Sequence, residues 1–432
     1  METPGKMHLI SKRARLRGSV EIPGSKSHTI RAVAIAGLAE GRSLIRAPLA
    51  SADTLAAVDA YRALGAQIDL TDDLWTVVGT GGRLSVPENI IDVRNSGTTL
   101  RIAVGSATLL GKGLAVFTGD DQIRRRPIGP LAGSLNDLGA SVTSTRGNGR
   151  APLVVSGTLR GGKTRIEAIT SQFLTSLLIN TPLAAQDSII DVPLLNERPY
   201  VHITLDWLAR GGVTLERREL DWFRVPGGQS YRAIDVRVPA DFSSATFFLA
   251  AGALGANDIL LRGLDLKDAQ GDKAVIDYLR AMGAKIDVKA NGIRVRPGRL
   301  VGCELDLNAT PDALPMMAVV ACFAEGRTSL VNVPQARLKE TDRIAVMRAE
   351  LTKMGGRLTE RPDGLIIEPA PLKAAEVDGH FDHRVVMALA VAGAMLDGET
   401  RISTAEAVDV TFPTFVQCMK GLGADLHIVP EA

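Results

Sequence analysis

A helix-to-strand junction recurs along the chain as the main pattern of apolar and polar positions. Apolar residues at helical spacing precede a glycine, as Leu131, Leu135 and Leu138 precede Gly139, and a short alternating run follows. Such a glycine predicts a helix that ends with positive φ and a strand that begins after it. The junction returns at intervals of about seventy residues, which indicates a repeated unit. It is found at Leu64-Gly65, Leu138-Gly139, Gly211-Gly212, Met282-Gly283, Met354-Gly355 and Leu422-Gly423.

A second, more apolar helix recurs with the same period. Each of its starts is polar, with residues typical of N-caps, and each opens a long apolar stretch. Helices with so little polar surface are predicted to be buried at the centres of their domains. The starts are Ser25-Lys26-Ser27, Asn95-Ser96-Gly97-Thr98, Thr170-Ser171-Gln172, Asp241-Phe242-Ser243-Ser244, Thr310-Pro311-Asp312 and Asp382-His383-Arg384.

These repeats predict an α/β protein of two domains, each with three units of βαβαββ type related by pseudo-threefold symmetry. One domain is expected to comprise residues 24–239, and the other residues 1–23 together with 240–432. With this symmetry, the buried helices of a domain point the same way, and their N-termini are expected to face a cleft between the domains. Free N–H groups and helix dipoles favour anions at such a place.

The composition narrows the class of protein. Of 432 residues, 45% are hydrophobic and 23% are charged, which is ordinary for a soluble globular protein, and a net charge of +2 argues against nucleic-acid binding. The longest apolar run, Val385 to Leu396, is too short to cross a bilayer, and the basic N-terminal segment does not have the pattern of a signal peptide. Cys303, Cys322 and Cys418 form neither a metal-ligand pattern nor a disulfide framework, so a cytoplasmic location is expected.

Cations stand at several of the predicted helix starts. Lys26 begins one helix, where the dipole repels a positive charge, and Arg31 follows about one turn later. Such a cation requires an anion, and both a ligand and a partner carboxylate stay open as interpretations. A nucleotide P-loop is not expected, because Ser19 stands where its first glycine is required and Ser25 separates Gly24 from Lys26.

Three further charged motifs extend this pattern, namely Arg124-Arg125-Arg126, Lys339-Glu340-Thr341-Asp342-Arg343 and Asp382-His383-Arg384. A solvated surface with ion pairs is the alternative interpretation of the first two.

Two carboxylates, those of Asp312 and Glu340, belong to these motifs. Carboxylates among several cations suit proton transfer beside polyanionic substrates. His380 and His383 are close in sequence but lack an obvious third ligand, so no metal site is expected.

Nine segments carry a resemblance that extends over essentially the whole chain. They are Pro23-Gly24-Ser25-Lys26-Ser27 with Arg31, Asn95-Ser96-Gly97-Thr98 with Arg101, Arg126-Pro127-Ile128-Gly129, Ser171-Gln172-Phe173-Leu174, Arg198-Pro199-Tyr200, Pro311-Asp312-Ala313, Leu338-Lys339-Glu340-Thr341-Asp342-Arg343, Asp382-His383-Arg384 and Thr411-Phe412-Pro413. In this order they resemble the signatures of the EPSP synthase family of enolpyruvyl transferases. The Lys-Glu-Thr-Asp-Arg motif also separates that family from the related UDP-N-acetylglucosamine enolpyruvyl transferases.

The resemblance implies two inverted α/β barrel domains that transfer the enolpyruvyl group of phosphoenolpyruvate to the 5-hydroxyl of shikimate 3-phosphate, with release of phosphate. It implies addition and elimination through a tetrahedral ketal, in the formation of chorismate and aromatic amino acids. It also implies a monomer without cofactor or metal, with no membrane or nucleic-acid partner. The catalytic residues would be Lys26, Asp312 and Glu340. Phosphoenolpyruvate is assigned to Lys26, Gly97, Arg126, Arg343 and Arg384, and shikimate 3-phosphate to Ser27, Arg31, Thr170, Ser171, Gln172, Tyr200, Asp312, Gln335 and Lys339.

Two positions depart from the family pattern. Glu197 stands where a serine that helps to hold the phosphate of the acceptor is expected, and Val410 where a lysine that contacts phosphoenolpyruvate is expected. Both changes remove support for a phosphate, so weaker substrate binding is predicted. The alternatives are an enolpyruvyl transferase for a less phosphorylated alcohol and an inactive anion-binding relative. The joint presence of Asp312, Glu340 and Lys26 argues against the inactive relative, because a binding protein needs only the cations.

Overall fold

The computed structural model describes residues 7–430, and within them the chain alternates between helices and short strands. The helices are α1 (Lys26–Leu38), α2 (Ala52–Ala63), α3 (Gly97–Ala107), α4 (Asp121–Arg125), α5 (Gly129–Asp137), α6 (Ser171–Asn180), α7 (Arg198–Arg210), α8 (Phe242–Ala253), α9 (Val275–Ala281), α10 (Leu314–Cys322), α11 (Arg343–Lys353), α12 (His383–Gly393) and α13 (Phe415–Gly421). Short 3-10 turns lie at Thr181–Leu183, Gly271–Ala274, Pro311–Ala313, Pro334–Leu338 and Ala405–Val410.

The strands are mostly three to eight residues long. They are β1 (Met7–Lys12), β2 (Arg17–Glu21), β3 (Arg42–Arg46), β4 (Gln67–Leu70), β5 (Leu74–Val78), β6 (Ile91–Asp92), β7 (Ala115–Thr118), β8 (Ala140–Ser144), β9 (Leu153–Gly157), β10 (Gly162–Ala168), β11 (Ser188–Leu195), β12 (Glu216–Arg218), β13 (Trp222–Val225), β14 (Asp235–Arg237), β15 (Asp258–Arg262), β16 (Lys285–Lys289), β17 (Gly292–Arg296), β18 (Glu304–Asp306), β19 (Thr328–Val331), β20 (Arg357–Arg361), β21 (Gly364–Glu368), β22 (Glu376–Asp378), β23 (Glu399–Ser403) and β24 (Asp425–Pro430).

The strands form four-stranded sheets that share one pairing pattern. In each sheet, one edge pair is parallel and the other two pairs are antiparallel. The strand orders are β14-β3-β5-β4, β6-β7-β9-β8, β10-β11-β13-β12, β2-β15-β17-β16, β18-β19-β21-β20 and β22-β23-β1-β24. A parallel pair needs a crossover, which a helix provides where the two strands are consecutive, as α3 does between β6 and β7. Turns close antiparallel pairs of consecutive strands, such as β4 and β5. The sheets therefore recur as units of βαβαββ type, as the seventy-residue period predicted.

The glycines of the recurring junction have the backbone conformation that the sequence predicted. Gly65 follows α2 with a φ of +104°, and Gly283 follows α9 with a φ of +106°. A Cβ on Gly283 would lie 2.3 Å from the carbonyl oxygen of Arg299, so no other residue fits there. The helix ends at such a residue because glycine adopts this conformation without a steric penalty.

The more apolar helices of the repeat are buried, as predicted. Every residue of α3, α8, α10 and α12 is buried, and α8, α10 and α12 pack against one another. Their capping differs in part from the prediction. The side chains of Thr170, Asp241 and Asp382 accept hydrogen bonds from the first turns of α6, α8 and α12, but Ser25 and Ser96 do not cap their helices. The hydroxyl of Ser96 instead donates to Thr99 Oγ1 at 2.7 Å.

The chain divides into two compact units, one comprising the chain up to Pro23 and again from Ala240, the other Gly24–Pro239. In the first unit, β1 pairs with both β23 and β24, and β2 lies parallel to β15. In the second unit, β14 lies parallel to β3. Each unit is thus closed by strands that are distant in sequence. No helix among residues 7–430 combines the length and the apolar character needed to cross a membrane.

Candidate active site

Lys26 is the first residue of α1, and its charge is matched within the protein. Its Nζ lies 3.1 Å from Oδ2 of Asp53, in the first turn of α2, with side-chain exposures of 14% and 4%. The partner carboxylate that was one interpretation of this lysine is therefore present. Sequence reasoning missed Asp53, because nothing in its local sequence links it to a helix 27 positions earlier.

Gly97, Arg101 and Arg126 form a tight group at the start of α3. A Cβ on Gly97 would lie 2.6 Å from Nη1 of Arg126 and 2.7 Å from Nη1 of Arg101, so any larger residue would have to displace these guanidinium groups. Arg101 is held by the carbonyl oxygens of Gly97, at 3.1 Å, and of Pro127, at 2.9 Å. Arg126 is buried, whereas its neighbour Arg125 is exposed. The basic run is thus partly a surface and partly a buried site beside Gly97.

The guanidinium group of Arg31 is buried among neutral oxygens. It donates to Oγ1 of Thr204 at 2.9 Å, to the carbonyl oxygen of Ser27 at 2.9 Å and to that of Tyr200 at 3.3 Å. Burial lowers the pKa of Arg31 to about 10, and the nearby Tyr200 and Glu197 oppose this shift. Arg31 is therefore a cation for which burial is costly and a nearby negative charge is favourable. The structure brings three of the predicted acceptor residues, Ser27, Arg31 and Tyr200, together.

A carboxylate of the protein occupies the N-terminus of α6. Oε2 of Glu197 accepts hydrogen bonds from Oγ1 of Thr170 at 3.1 Å, and from N and Oγ of Ser171 at 3.1 and 2.7 Å. Glu197 is 1% exposed and has a φ of +57°. We call the place where these donors of Thr170 and Ser171 converge the α6 pocket. It is suited to an anion, because N–H and O–H groups point to one place at a helix N-terminus. Next to the pocket, Nε2 of Gln172 donates to Oγ1 of Thr98 at 3.2 Å.

In the other unit, Arg343 is a buried cation surrounded by carboxylates. Its Nη1 lies 2.7 Å from Oδ1 of Asp312, its Nη2 2.6 Å from Oε2 of Glu340, and its Nε 2.8 Å from Oδ2 of Asp382. Nη2 of Arg384 lies 3.0 Å from Oδ2 of Asp312, so Asp312 bridges two arginines. These five residues are called the Arg343 cluster below.

The charges of the Arg343 cluster depend on one another. Burial alone lowers the pKa of Arg343, but Asp382, Glu340 and Asp312 together raise it above its ordinary value. Burial raises the pKa of Asp382, yet Arg343 leaves it below its ordinary value. Arg343 and Asp382 thus form an ion pair in a buried site. Sequence reasoning had included Asp382 only as a helix start and did not predict its pairing with Arg343.

Gln335, Lys339 and Val410 lie on 3-10 turns or directly after one. Gln335 lies within the turn Pro334–Leu338, and Lys339 directly follows it. Nε2 of Gln335 donates to the carbonyl oxygen of Asn308 at 2.9 Å. Val410 ends the turn Ala405–Val410 and is half-buried. No group of three or more His, Cys, Asp or Glu residues within 7–430 is arranged to hold a metal ion.

Comparisons with known proteins identify the family. A family model described as EPSP synthase (3-phosphoshikimate 1-carboxyvinyltransferase) matches residues 10–419. The 3-phosphoshikimate 1-carboxyvinyltransferase of Acetivibrio thermocellus is 53% identical over 420 residues, covering 97% of this chain and 99% of the relative. That of Ruminiclostridium cellulolyticum is 50% identical over 423 residues, covering 98% of this chain and 100% of the relative.

The fold agrees with a solved structure of the same family. EPSP synthase from Acinetobacter baumannii superimposes with a TM-score of 0.82 at 26% identity, covering 98% of this chain and all of the other. The predicted α/β fold and the predicted resemblance are both confirmed. Because the family model spans nearly the whole chain and relatives at 50% identity or more align along their full length, the chain belongs to the EPSP synthase (3-phosphoshikimate 1-carboxyvinyltransferase) family.

Proposed function

We propose that this protein transfers the carboxyvinyl group of phosphoenolpyruvate to the 5-hydroxyl of shikimate 3-phosphate and releases phosphate. Membership of the family supports the reaction, and one observation about the site supports it independently. A single buried guanidinium group, that of Arg343, holds Asp312 and Glu340 on its two terminal nitrogens. Two carboxylates fixed beside cations are the groups that proton transfer at an anionic substrate needs.

The two substrates are proposed to be bound by separate sets of residues. On this proposal, phosphoenolpyruvate is bound by Lys26, Gly97, Arg126, Arg343 and Arg384. Shikimate 3-phosphate is bound by Ser27, Arg31, Thr170, Ser171, Gln172, Tyr200, Asp312, Gln335 and Lys339. Both substrates are small anions, so cationic side chains are suited to bind them. We also predict that the protein is a monomer in the cytoplasm.

The proton movements follow from the chemistry of addition and elimination. In the addition, the acceptor oxygen bonds to C2 of phosphoenolpyruvate, Asp312 receives the hydroxyl proton, and C3 gains a proton to become a methyl group. In the elimination, C3 loses a proton, the double bond returns, and the bond from C2 to the phosphate oxygen breaks. Glu340 and Lys26 are proposed to exchange the protons at C3 and at the bridging oxygen. Arg343 keeps Asp312 and Glu340 in place for both steps.

A second candidate function differs only in the acceptor. Because the carboxylate of Glu197 fills the α6 pocket, an alcohol without a phosphate at that position would need no displacement of Glu197. Phosphate release from phosphoenolpyruvate, measured with shikimate 3-phosphate, with shikimate and with neither, separates the possibilities. The first proposal requires that turnover depends on shikimate 3-phosphate. Faster turnover with shikimate would favour the second, and no turnover with either would contradict both.

Treatment with a chelator is expected to leave the activity unchanged. Guanidinium and ammonium groups of Arg126, Arg343, Arg384 and Lys26 are proposed to supply the positive charge that a metal would otherwise bring to the phosphate. The rate is measured before and after incubation with EDTA and desalting, and again after Mg²⁺ is added. Loss of activity that a divalent ion restores would overturn the proposed site.

The substitution Val410→Lys is expected to lower the KM for phosphoenolpyruvate about tenfold. A hydrogen bond to a charged group contributes roughly 1.5–3 kcal/mol, and 1.4 kcal/mol corresponds to about a factor of ten. Val288→Lys is the matched control, because it adds the same charge to the same unit on exposed strand β16. Equal KM values in Val410→Lys and the wild type would show that Val410 is not close to this substrate.

A further inference from the structure

The segment that leads into α12 has an unfavourable backbone conformation. His380 and Phe381 have φ values of +54° and +55°, directly before Asp382, which caps the helix. Two consecutive residues other than glycine in the left-handed region are costly and persist only where surrounding contacts enforce them. The backbone N–H of Phe381 donates to Oγ1 of Thr404 at 3.0 Å, while its side chain is 51% exposed. Other contacts also hold the segment, which we call the 379–382 turn.

One contact of the 379–382 turn is with a buried carboxylate on α11. Oε1 of Glu350 lies 2.9 Å from Nε2 of His380, and Oε2 accepts the backbone N–H of Asp378 at 2.9 Å. Glu350 is 1% exposed, and Nζ of Lys353 lies 2.7 Å from its Oε2. Oδ1 of Asp378 accepts hydrogen bonds from the backbone N–H of His380 at 2.8 Å and from the hydroxyl of Ser403 at 2.7 Å.

The same helix joins the 379–382 turn to the Arg343 cluster. Arg343 and Glu350 lie two turns apart on α11, and Arg343 holds Asp382 at 2.8 Å while Glu350 holds His380. Asp382 in turn accepts the backbone N–H of Arg384 at 2.9 Å. The turn is thus tied to α11 at both of its ends.

We infer that His380 is a positioning residue, which in its protonated form pairs with Glu350 and holds the 379–382 turn so that Asp382 orients Arg343 and Arg384. The role rests on the proposed function, since it concerns the binding of phosphoenolpyruvate by these arginines. His380 is not among the residues proposed to take part in proton transfer.

The charge of His380 depends on pH in a defined direction. The hydrogen bond that the His380 imidazole donates to Glu350 raises the pKa of His380, and the negative charges of Asp378 and Glu350 raise it further. Burial and the charge of Lys353 oppose this shift. Burial raises the pKa of Glu350, but hydrogen bonds from His380, Lys353 and the backbone of Asp378 lower it to about 2, so Glu350 stays ionised. The ion pair is therefore fully present below about pH 6.5, the unperturbed value for histidine, and is lost as the pH rises through the raised pKa of His380.

The test compares His380→Gln with His427→Gln over pH 5.5 to 9. His427 is the matched control, because it pairs with Asp425 at 2.7 Å in the same unit but on exposed strand β24. We expect kcat/KM for phosphoenolpyruvate in the wild type to fall severalfold as the pH rises through the raised pKa of His380. At low pH, kcat/KM of His380→Gln should already be as low as that of the wild type at high pH, mainly because its KM is higher. The variant should also lack the pH dependence of the wild type. The profile of His427→Gln should match that of the wild type. A wild-type profile and KM in folded His380→Gln would overturn the inference.

A second measurement uses the wild type and does not require turnover. The imidazole pKa of His380 is measured by NMR without ligand and with saturating phosphoenolpyruvate, with His427 as the internal reference. If protonation of His380 favours binding, binding must raise its pKa to the same extent. A pKa of His380 that does not change on binding contradicts the inference. Failure of the wild type to release phosphate would instead contradict the proposed function.

Discussion

The substitution Glu197→Ser lowers the KM for shikimate 3-phosphate about tenfold or more, if the α6 pocket receives the phosphate of the acceptor. In the wild type, the carboxylate of Glu197 accepts hydrogen bonds from the hydroxyl groups of Thr170 and Ser171 and from the backbone N–H of Ser171. A phosphate must displace this carboxylate, and two like charges cannot share the pocket. Serine removes the competing charge, while hydrogen bonds to a charged ligand contribute roughly 1.5–3 kcal/mol each.

Two further variants separate charge from conformation at Glu197. Glu197→Gln keeps the size of the side chain but removes its charge, so its KM should lie between those of Glu197→Ser and the wild type. Glu219→Ser is the matched control, because Glu219 also has a positive φ but is exposed. The KM for unphosphorylated shikimate should not improve in any of these variants. If Glu197→Ser is folded and its KM for shikimate 3-phosphate is unchanged or higher, the carboxylate does not occupy the position of the phosphate.

The largest loss of activity is expected for Lys26→Met. Proton transfer by a positioned side chain contributes roughly 10²–10⁴-fold to the rate, so we expect kcat to fall on the order of a thousandfold. The variant should fold, since Lys26 is the first residue of α1 and 14% of its side chain is exposed. Its thermal stability should nevertheless decrease, because the buried carboxylate of Asp53 loses its ion pair with Lys26.

The double variant Lys26→Met with Asp53→Asn distinguishes the two roles of the lysine. It removes the buried charge that Lys26→Met leaves behind, so thermal stability should recover in part while the activity stays low. Lys12→Met, which removes an exposed pair with Glu399, should change neither quantity. Recovery of activity together with stability in the double variant would show that Lys26 acts only on the structure.

The repeat and the buried helices could be predicted from the sequence because their causes are local. A glycine with positive φ, such as Gly283, is recognisable from the apolar face before it and the alternating run after it. Long apolar stretches such as that of α12 indicate burial without knowledge of any neighbour. The pairing of β1 with β24 has no such local cause, because it joins residues about four hundred positions apart.

The sequence indicated the cations of the candidate site, the helix starts beside them and the carboxylates of Asp312 and Glu340. The interactions that hold those cations depend on tertiary structure, as Asp53 does for Lys26 and Asp382 for Arg343. Glu197 was recognised as a departure from the family, but the sequence did not show that its carboxylate bonds to Ser171 or that its backbone is left-handed. His380 was considered only as a metal ligand, whereas the structure gives it a buried carboxylate, Glu350, as its partner.

The central claim is that both substrates are joined by this protein, and the identity of the product tests it most directly. Phosphoenolpyruvate labelled with ¹³C at C2 is incubated with shikimate 3-phosphate and the wild-type protein, and the mixture is followed by ¹³C and ³¹P NMR. The account predicts that the labelled carbon appears in an enol ether at the 5-oxygen of the acceptor, with one inorganic phosphate for each molecule of product. Phosphate released without the ether, or unchanged substrates under these conditions, would contradict it.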